Sequence, residues 1–252
     1  ANARRAIGAK DLGGQLVLRE THLKVLRVLE QAEALTERYH VVVANPPYMG
    51  GRGMNSRLAG WLKANYGDAK NDLFSAFVFR CSEAAVTNAR IGIMSPNVWM
   101  YISSHERLRD YIIGQKALTN LVELPLTGFK GATVQVCAYN FANNSLLKQK
   151  AAFIRLVTFK GGDAEMASKT REAISNQQCG WLFRASMDDF NKIPSSPIAY
   201  WISKRTMQSF KEAIPLGNVS EIRQGFATGD NDKFVRCWHE TEYSKIIFTA
   251  NS

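Results

Sequence analysis

The sequence predicts an α/β fold in which a parallel sheet ends in an antiparallel hairpin. Two short apolar runs, at residues 40–44 and 90–95, each stop at a proline, and a segment of helical period lies between them. Strands that alternate with helices indicate parallel α/β units, so these runs predict strands of one sheet. Two further apolar runs, at 118–124 and 133–141, are joined by the turn residues 125–131, which predicts the hairpin.

The first predicted strand is followed by the most informative motif of the chain. Residues 19–38 carry leucines at a helical period and predict an amphipathic helix. The β-branched run at 40–44 comes next and ends abruptly at the sequence Asn-Pro-Pro-Tyr of residues 45–48. Proline cannot continue a strand ladder, so the run predicts a short buried strand that ends in a rigid turn.

The segments after this turn predict a series of shorter elements. Helices are expected at 58–66, from Asn71 to about residue 88, from Ser103 or Ser104 to Ile113, and at 200–213, with a further β segment at 153–159. Asp72 lies in the first turn of the second of these helices, where a negative charge favours the helix dipole. Ser103 or Ser104 is expected to cap the third. The polar stretch 160–180 carries only a weak pattern.

Composition excludes several classes of protein. The chain has 252 residues, 46% hydrophobic and 21% charged, which excludes a disordered or low-complexity chain. A mean hydropathy of −0.20, without an apolar run near eighteen residues, predicts no membrane-spanning helix. No signal pattern and four scattered cysteines predict a cytoplasmic protein with free thiols. Cys237 and His239 alone do not make a zinc site, so no metal is predicted.

The charge of the chain suggests a polyanionic partner. Lys plus Arg is 32 and Asp plus Glu is 22, so the formal net charge is 32 − 22 = +10. The excess is spread along the chain, which fits basic patches on a folded surface better than a nucleic-acid-binding arm. A merely basic protein is the alternative on charge alone.

The tetrapeptide Asn45-Pro46-Pro47-Tyr48 resembles the signature of the methyltransferases that use S-adenosylmethionine to methylate amino groups. In this family the motif follows the fourth strand of a doubly wound, Rossmann-like sheet. The resemblance implies that the Asn45 side-chain oxygen and the Pro46 carbonyl accept hydrogen bonds from the target amine, and that the paired prolines Pro46 and Pro47 pre-set this geometry. The alternative is a strand-ending turn without a catalytic role.

The resemblance assigns a role in base binding to Tyr48. It would stack on a target base that has been flipped out of duplex DNA, a step that costs a few kcal/mol. An aromatic platform returns about 1–3 kcal/mol per stacked base. A packed core aromatic is the alternative reading of Tyr48.

Further segments narrow the resemblance to the N6-adenine DNA methyltransferases of the gamma arrangement, and within them to those of BREX-type phage-defence systems. The resemblance covers about residues 5 to 235. The gamma arrangement is indicated by residues 71–77, 90–96 with Trp99, 129–134 with Phe141, and 225–231 with Phe234, and the BREX group by residues 39–50, 54–55 and 61–66. The resemblance implies that Phe129 lines the pocket for the flipped base, although hairpin packing is equally open. It also implies double-stranded DNA as the partner, with other defence-system proteins as possible partners.

The cofactor half of such an enzyme is not recognisable in this sequence. Family members bind S-adenosylmethionine through a Gly-rich turn and an acidic residue that both precede the Asn-Pro-Pro-Tyr motif. The residues before Asn45 read as coil and helix. We therefore expect an internal piece of a larger enzyme, unable to methylate alone. Asp72 would line the adenine of the cofactor in the whole enzyme, with helix capping as the alternative.

The resemblance divides the chain into four expected parts. They are a helical lead-in (1–38), the C-terminal half of the catalytic domain (39–159), a helical connector (160–215) and the start of a target-recognition domain (216–252). Basic residues follow the catalytic turn and are expected to contact DNA phosphates, with a solvated surface as the alternative; they are Arg52, Arg57, Lys63 and Lys70.

Two other functions stay open at the level of sequence. Glutamine methyltransferases of release factors share the Asn-Pro-Pro-Tyr motif, so a protein or RNA amino-methyltransferase is the first alternative. A non-catalytic DNA-binding module, in which the motif is only a turn, is the second. The long segment after Phe141 and the residues 225–231 favour DNA.

Overall fold

The computed structural model describes residues 2–10, 16–126, 134–144, 150–221, 235 and 237–246. The chain divides into two compact units, residues 1–211 and 212–252. The first unit contains the sheet and the Asn-Pro-Pro-Tyr motif. Within the described part of the second unit lie a short helix α9 (Leu216–Val219) and turns of 3-10 helix at Trp238–Glu240 and Tyr243–Lys245.

A six-stranded mixed sheet organises the first unit, in the order β1-β2-β4-β3-β5-β6. Strands β1, β2, β3 and β5 run parallel to one another, while β4 and β6 run antiparallel to their neighbours. The carboxyl ends of the four parallel strands therefore meet at one edge of the sheet. The strands are β1 (Tyr39–Ala44), β2 (Ala85–Pro96), β3 (Ala117–Glu123), β4 (Val136–Ala142), β5 (Ala151–Arg155) and β6 (Leu182–Ala185).

Helices connect and cover these strands. They are α1 (Asn2–Gly8), α2 (Leu16–Thr36), α3 (Ser56–Asn65), α4 (Leu73–Glu83), α5 (Glu106–Gln115), α6 (Gly162–Ser175), α7 (Met187–Phe190) and α8 (Lys204–Glu212). The predicted α/β class with its antiparallel β3–β4 pair is confirmed. Helices α2 to α5 and α8 lie where the sequence placed them, within a few residues at their ends.

The main core lies between α4, α5 and one face of the sheet. Phe74 and Val78 of α4 and Ile112 of α5 are fully buried, against Ile91 of β2 and Phe141 of β4. Burial of each such side chain contributes about 1.5–3 kcal/mol relative to exposure. The packing of α4 and α5 on this face holds the strands, and therefore the strand ends, in place.

The prediction that the first strand is buried was wrong. Val41 and Val43 of β1 are 63% and 78% exposed. Among the described residues β1 pairs with β2 alone, so it forms an edge of the sheet. The valines face an open cleft of about 550 Å³, which Gly92 and Asn140 also line. An apolar run indicates that a strand is built for burial but not which part of the protein covers it.

Three elements in the expected connector were missed, α6, β6 and the short helix α7. Helix α6 buries only Met166 and Ala173, so its apolar stripe is too narrow to give a strong helical pattern. Strand β6 is four residues long and extends the sheet beside β5. The expected serine cap of α5 was also wrong. His105 occupies the N-cap position, after a turn of 3-10 helix at Ser103–His105.

None of the helices in the described ranges is both long and apolar enough to cross a membrane.

Candidate active site

The Asn-Pro-Pro-Tyr turn begins where β1 ends, at the carboxyl edge of the parallel strands. Ala44 is the last residue of β1 and pairs with Ile93 of β2. Asn45 and Pro47 are exposed, whereas Pro46 is buried. In open α/β sheets, ligands bind in the crevice outside the carboxyl ends of the strands. The turn therefore presents its polar groups at the edge where a ligand is expected.

The carboxamide of Asn45 is directed to solvent and not into the core. Its Oδ1 accepts a hydrogen bond from the hydroxyl of Tyr48 at 3.2 Å. The Tyr48 side chain is 38% exposed, so part of its ring is open to a planar ligand. Partial burial, with a smaller effect of Cys137, raises the pKa of Tyr48 and keeps this hydroxyl a donor. The turn thus places an amide oxygen and an aromatic ring side by side.

Asp72 joins the turn to the start of α4. Its Oδ1 accepts from the backbone N–H of Met49 at 3.1 Å and from that of Phe74 at 3.2 Å. The N–H of Leu73 donates to the Met49 carbonyl at 3.0 Å, and Gly50 bridges to Asp72 in antiparallel fashion. Asp72 therefore caps α4 and holds the residue that follows the motif.

The other oxygen of Asp72 is available to a ligand. Oδ2 lies beside Gly50, where an added Cβ would come within 3.6 Å of it. Among the described residues, none donates a hydrogen bond to Oδ2. The contact with the cofactor predicted for Asp72 would have to use this oxygen, and it stays a prediction.

A buried pair of polar side chains also stabilises the start of α4. Ser75 Oγ and His105 Nδ1 lie 3.1 Å apart, and the Asn71 amide donates to the Ser104 carbonyl at 2.6 Å. Burial lowers the pKa of His105; the charge of Asp72 acts against this and that of Arg109 with it. The imidazole is therefore neutral at pH 7, and it links α4 to the turn before α5.

A second polar cluster at the same edge was missed by sequence reasoning. Glu123, the last residue of β3, is buried, and its carboxylate accepts three hydrogen bonds. The donors are Asn97 Nδ2 at 2.9 Å, Tyr101 Oη at 2.9 Å and Tyr200 Oη at 2.6 Å. Burial and the nearby carboxylate raise the pKa of both tyrosines. The only signal in the sequence is an acidic residue that ends an apolar strand.

The four basic residues predicted to bind DNA are all exposed and follow the turn. None of them forms an ion pair within the described part of the chain. Leu62 of α3 is buried against Ala69 and Ala76, which fixes the helix that carries two of them. The residues are Arg52 in the turn Gly51–Gly53, Arg57 and Lys63 on α3, and Lys70 before α4.

Some predicted residues lie outside the part of the chain that the structure describes. Phe129, the predicted pocket residue, and the segment 225–231 are among them. Their roles stay predictions. In the described ranges, no group of three or more His, Cys, Asp or Glu side chains could hold a metal ion.

Comparison with known proteins shows what this chain is similar to. Residues 17–129 match the Eco57I restriction-modification methylase family. The adenine-specific methyltransferase PglX of Lacticaseibacillus casei (strain Zhang) is 30% identical over 229 residues, which is 89% of this chain. The adenine-specific methyltransferase BrxX of Escherichia coli O9:H4 (strain HS) is 34% identical over 240 residues, or 92% of this chain. The chain spans 19% of the length of each of these two relatives.

A solved structure shows the same fold. A chain from a type I restriction-modification system superposes with a TM-score of 0.51 at 16% identity, over 73% of this chain and 41% of that one. The two curated relatives confirm the sequence resemblance to adenine-specific methyltransferases. Residues 17–129 are similar to the Eco57I restriction-modification methylase family, and the chain as a whole is similar to PglX and BrxX.

Proposed function

We propose that this chain is the base-binding part of an adenine-specific DNA methyltransferase. The full-length enzyme would transfer a methyl group from S-adenosylmethionine to the N6 amine of an adenine flipped out of the duplex. The observation that carries this proposal is the exposed carboxamide of Asn45, at the carboxyl end of β1 and beside the half-open ring of Tyr48.

The Asn-Pro-Pro-Tyr turn would activate the target amine of adenine. The exocyclic amine of adenine is a poor nucleophile, because its lone pair is delocalised into the ring. Two fixed acceptors, Asn45 Oδ1 and the Pro46 carbonyl, would bind its two N–H groups and favour a more tetrahedral nitrogen. Acceptors that are already oriented lose no free energy to reorganisation during the reaction. The buried ring of Pro46 supplies that rigidity.

Tyr48 would hold the flipped base. Its exposed ring can stack on adenine for about 1–3 kcal/mol, which offsets part of the cost of flipping. The hydroxyl of Tyr48 occupies Asn45 Oδ1 in this structure and would give way to the amine.

The cofactor would be held mainly by another part of a longer polypeptide. When bound, it supplies an electrophilic methyl group on a sulfonium. The free edge of β1 and the exposed face that carries Val41 and Val43 support a cofactor-binding half packed against β1, because strand edges and exposed apolar surfaces are normally covered. The two relatives are about five times as long as this chain, so a protein of that length is large enough to include such a half. Asp72 Oδ2 would add a contact from this chain.

DNA would approach the exposed basic surface that follows the turn. Four cations without ion-pair partners in the described ranges suit phosphate contacts. The division into a catalytic half (39–159), a connector (160–215) and the start of a recognition domain (216–252) belongs to this proposal. So do a cytoplasmic location and a role in phage defence with other defence proteins.

The proposal is tested by replacing Asn45 in the full-length enzyme. Asn45→Ala should lower methyl transfer to DNA by 10²-fold or more, the loss typical of one pre-organised electrostatic contact. Binding of S-adenosylmethionine should be unchanged. Asn176→Ala, at an exposed position after α6, is the matched control and should keep full activity.

Assays on duplex DNA, tRNA and a release factor separate the alternatives. Methylation of adenine in DNA alone supports the proposal. Transfer to tRNA or to a release factor glutamine in place of DNA would refute it. Unchanged DNA methylation by Asn45→Ala would mean that the motif is only a turn.

A further inference from the structure

A second pocket opens at the carboxyl edge of the sheet, away from the Asn-Pro-Pro-Tyr turn. It lies at the ends of β2, β3 and β5 and has a volume of about 430 Å³. Its lining combines amides, aromatic rings and one guanidinium; the residues are Asn97, Tyr101, Glu123, Gln135, Arg155 and Trp201, with Val157. None of the roles assigned above uses Gln135, Arg155 or Trp201.

The carboxylate of Glu123 in this pocket already has hydrogen-bond donors from the protein itself. Glu123 is buried, and both of its oxygens accept hydrogen bonds from side chains in the wall. Charge-assisted hydrogen bonds of this kind hold both acceptor and donors in place. Glu123 therefore orders Asn97, Tyr101 and Tyr200 and does not serve as a free acceptor for a ligand.

The Arg155 guanidinium, by contrast, is oriented by its ion pair with Glu123 and, within the described ranges, keeps its terminal donors free. The Arg155 guanidinium lies over the Trp201 ring, 5.0 Å from its centroid, and the side chain is 31% exposed. Its Nε is 3.9 Å from Glu123 Oε2, and this buried nitrogen has no hydrogen-bond partner. Among the described residues, no acceptor meets the terminal nitrogens of Arg155 either. A planar fork with free donors fits a phosphate through two parallel hydrogen bonds.

We propose that this pocket binds a backbone phosphate of the substrate DNA strand through Arg155. The inference rests on the proposed function and adds a contact to it. Strand β5 lies four positions from β1 in the sheet, which at about 4.8 Å per strand is roughly 19 Å. With a rise of about 3.4 Å per nucleotide, the phosphate lies within about six nucleotides of the target adenine.

The geometry favours DNA over the carboxylate of the cofactor as the source of the anion. The free edge of β1, where the cofactor-binding half is proposed to attach, is on the opposite side of the sheet from β5. A strand that enters at Tyr48 can run along the carboxyl edge and reach β5.

The test uses the full-length enzyme with Arg155→Gln and Arg155→Lys. Arg171→Gln, on the exposed side of α6, is the matched control. Arg155→Gln should weaken DNA binding about tenfold and lower the slope of log K against log salt by about one. Arg155→Lys keeps the charge without the fork and should lose less affinity. Arg171→Gln should bind DNA like the wild type.

A scan with single neutral methylphosphonates locates the contact. At one position within about six nucleotides of the adenine, the substitution should weaken wild-type binding about tenfold but leave Arg155→Gln unaffected. If Arg155→Gln does not fold, the same scan with Arg155→Lys should show a reduced effect at that position.

Three results would overturn the assignment. One is a scan in which every position affects the wild type and the variants equally. Another is a loss of S-adenosylmethionine binding in place of DNA binding, and the third is an equal loss of DNA affinity in Arg171→Gln. A wild-type enzyme that methylates DNA alongside any of these refutes only the pocket. A wild-type enzyme that neither binds nor methylates DNA refutes the proposed function itself.

Discussion

The paired strands β1 and β2 have one buried face and one exposed face. Ile91 and Ile93 of β2 are 0% and 3% exposed, whereas Val41 and Val43 of the neighbouring β1 are among the most exposed valines of the chain. In this parallel ladder Val43 pairs with Gly92 and not with either isoleucine, so the valines and the isoleucines point to opposite faces of the sheet. One face of the ladder is thus packed in the core, and the other face is exposed.

The difference shows that the candidate active site lies between a packed and an exposed surface of the sheet. The Asn-Pro-Pro-Tyr turn follows β1, one face of which is exposed. The segments that hold the turn in place, α4 and the turn before α5, pack in the core. Substitutions on the core side should therefore affect this chain alone. Those on the exposed side should matter only where a further part of the polypeptide covers β1.

The largest effect is expected in the finished core. Phe141→Ala removes a fully buried ring from β4 and should lower the free energy of unfolding by about 3–5 kcal/mol. Urea unfolding of this chain followed by circular dichroism measures the loss. A decrease of less than about 1 kcal/mol would show that the packing around β4 is not formed in solution.

The next effect concerns Glu123 at the carboxyl edge. Glu123→Ala removes the acceptor of three side-chain donors, and each donor left buried costs about 1–3 kcal/mol. A partner that reaches water in the adjoining pocket costs less, so we expect a total loss of about 3 kcal/mol. Glu123→Gln keeps the volume and one acceptor oxygen, and it should lose about half as much in the same unfolding experiment. Equal losses for both variants would mean that the hydrogen bonds contribute little.

Two substitutions of Asp72 distinguish its contribution to stability from its predicted contact with the cofactor. Asp72→Ala removes the cap of α4 and should cost about 0.5–2 kcal/mol. Asp72→Asn keeps an acceptor for the N–H groups of Met49 and Phe74, so it should retain most of the stability. In the full-length enzyme, a weaker affinity of Asp72→Asn for S-adenosylmethionine would support the contact through Oδ2. Wild-type affinity in Asp72→Asn would leave capping as the role of this residue.

A smaller effect should appear as a pH dependence through His105. Burial lowers its pKa below the usual 6.5, so the unfolded chain binds a proton at a pH where the folded chain does not. The stability is full above about pH 6.5 and falls as the pH drops toward the lowered pKa. Urea unfolding between pH 5 and 8 should show this slope, and His105→Gln should reduce it. The slope would persist unchanged in His105→Gln if other groups caused it.

Most of the helices and strands could be predicted from the sequence because their patterns are local. The turn at Asn45 is set by its own prolines, and Asp72 lies at the start of α4, as the sequence predicted, although it caps the helix and does not lie within its first turn. The exposure of β1 could not be predicted, since the burial of a strand depends on the segments that pack beside it. The Glu123 cluster depends in the same way on Asn97 and Tyr200, which are 26 and 77 residues away in the chain.

The smallest effect in this chain also tests whether the exposed face of β1 is covered in the full-length enzyme. Val43→Ser exposes a hydroxyl where a valine is already 78% exposed, so the stability of this chain should change by no more than about 0.5 kcal/mol. In the full-length enzyme, a covered Val43 would lose apolar burial and leave a hydroxyl buried, which should cost about 1–3 kcal/mol.

The two measurements decide between two origins of the exposure. A loss confined to the full-length enzyme means that a further part of the polypeptide packs on β1, next to the turn that would hold the target base. No loss in either protein means that this face of β1 is exposed in the complete enzyme as well. The cofactor-binding half would then have to reach Asn45 from another direction, because the strand that carries Asn45 would offer it no packing surface.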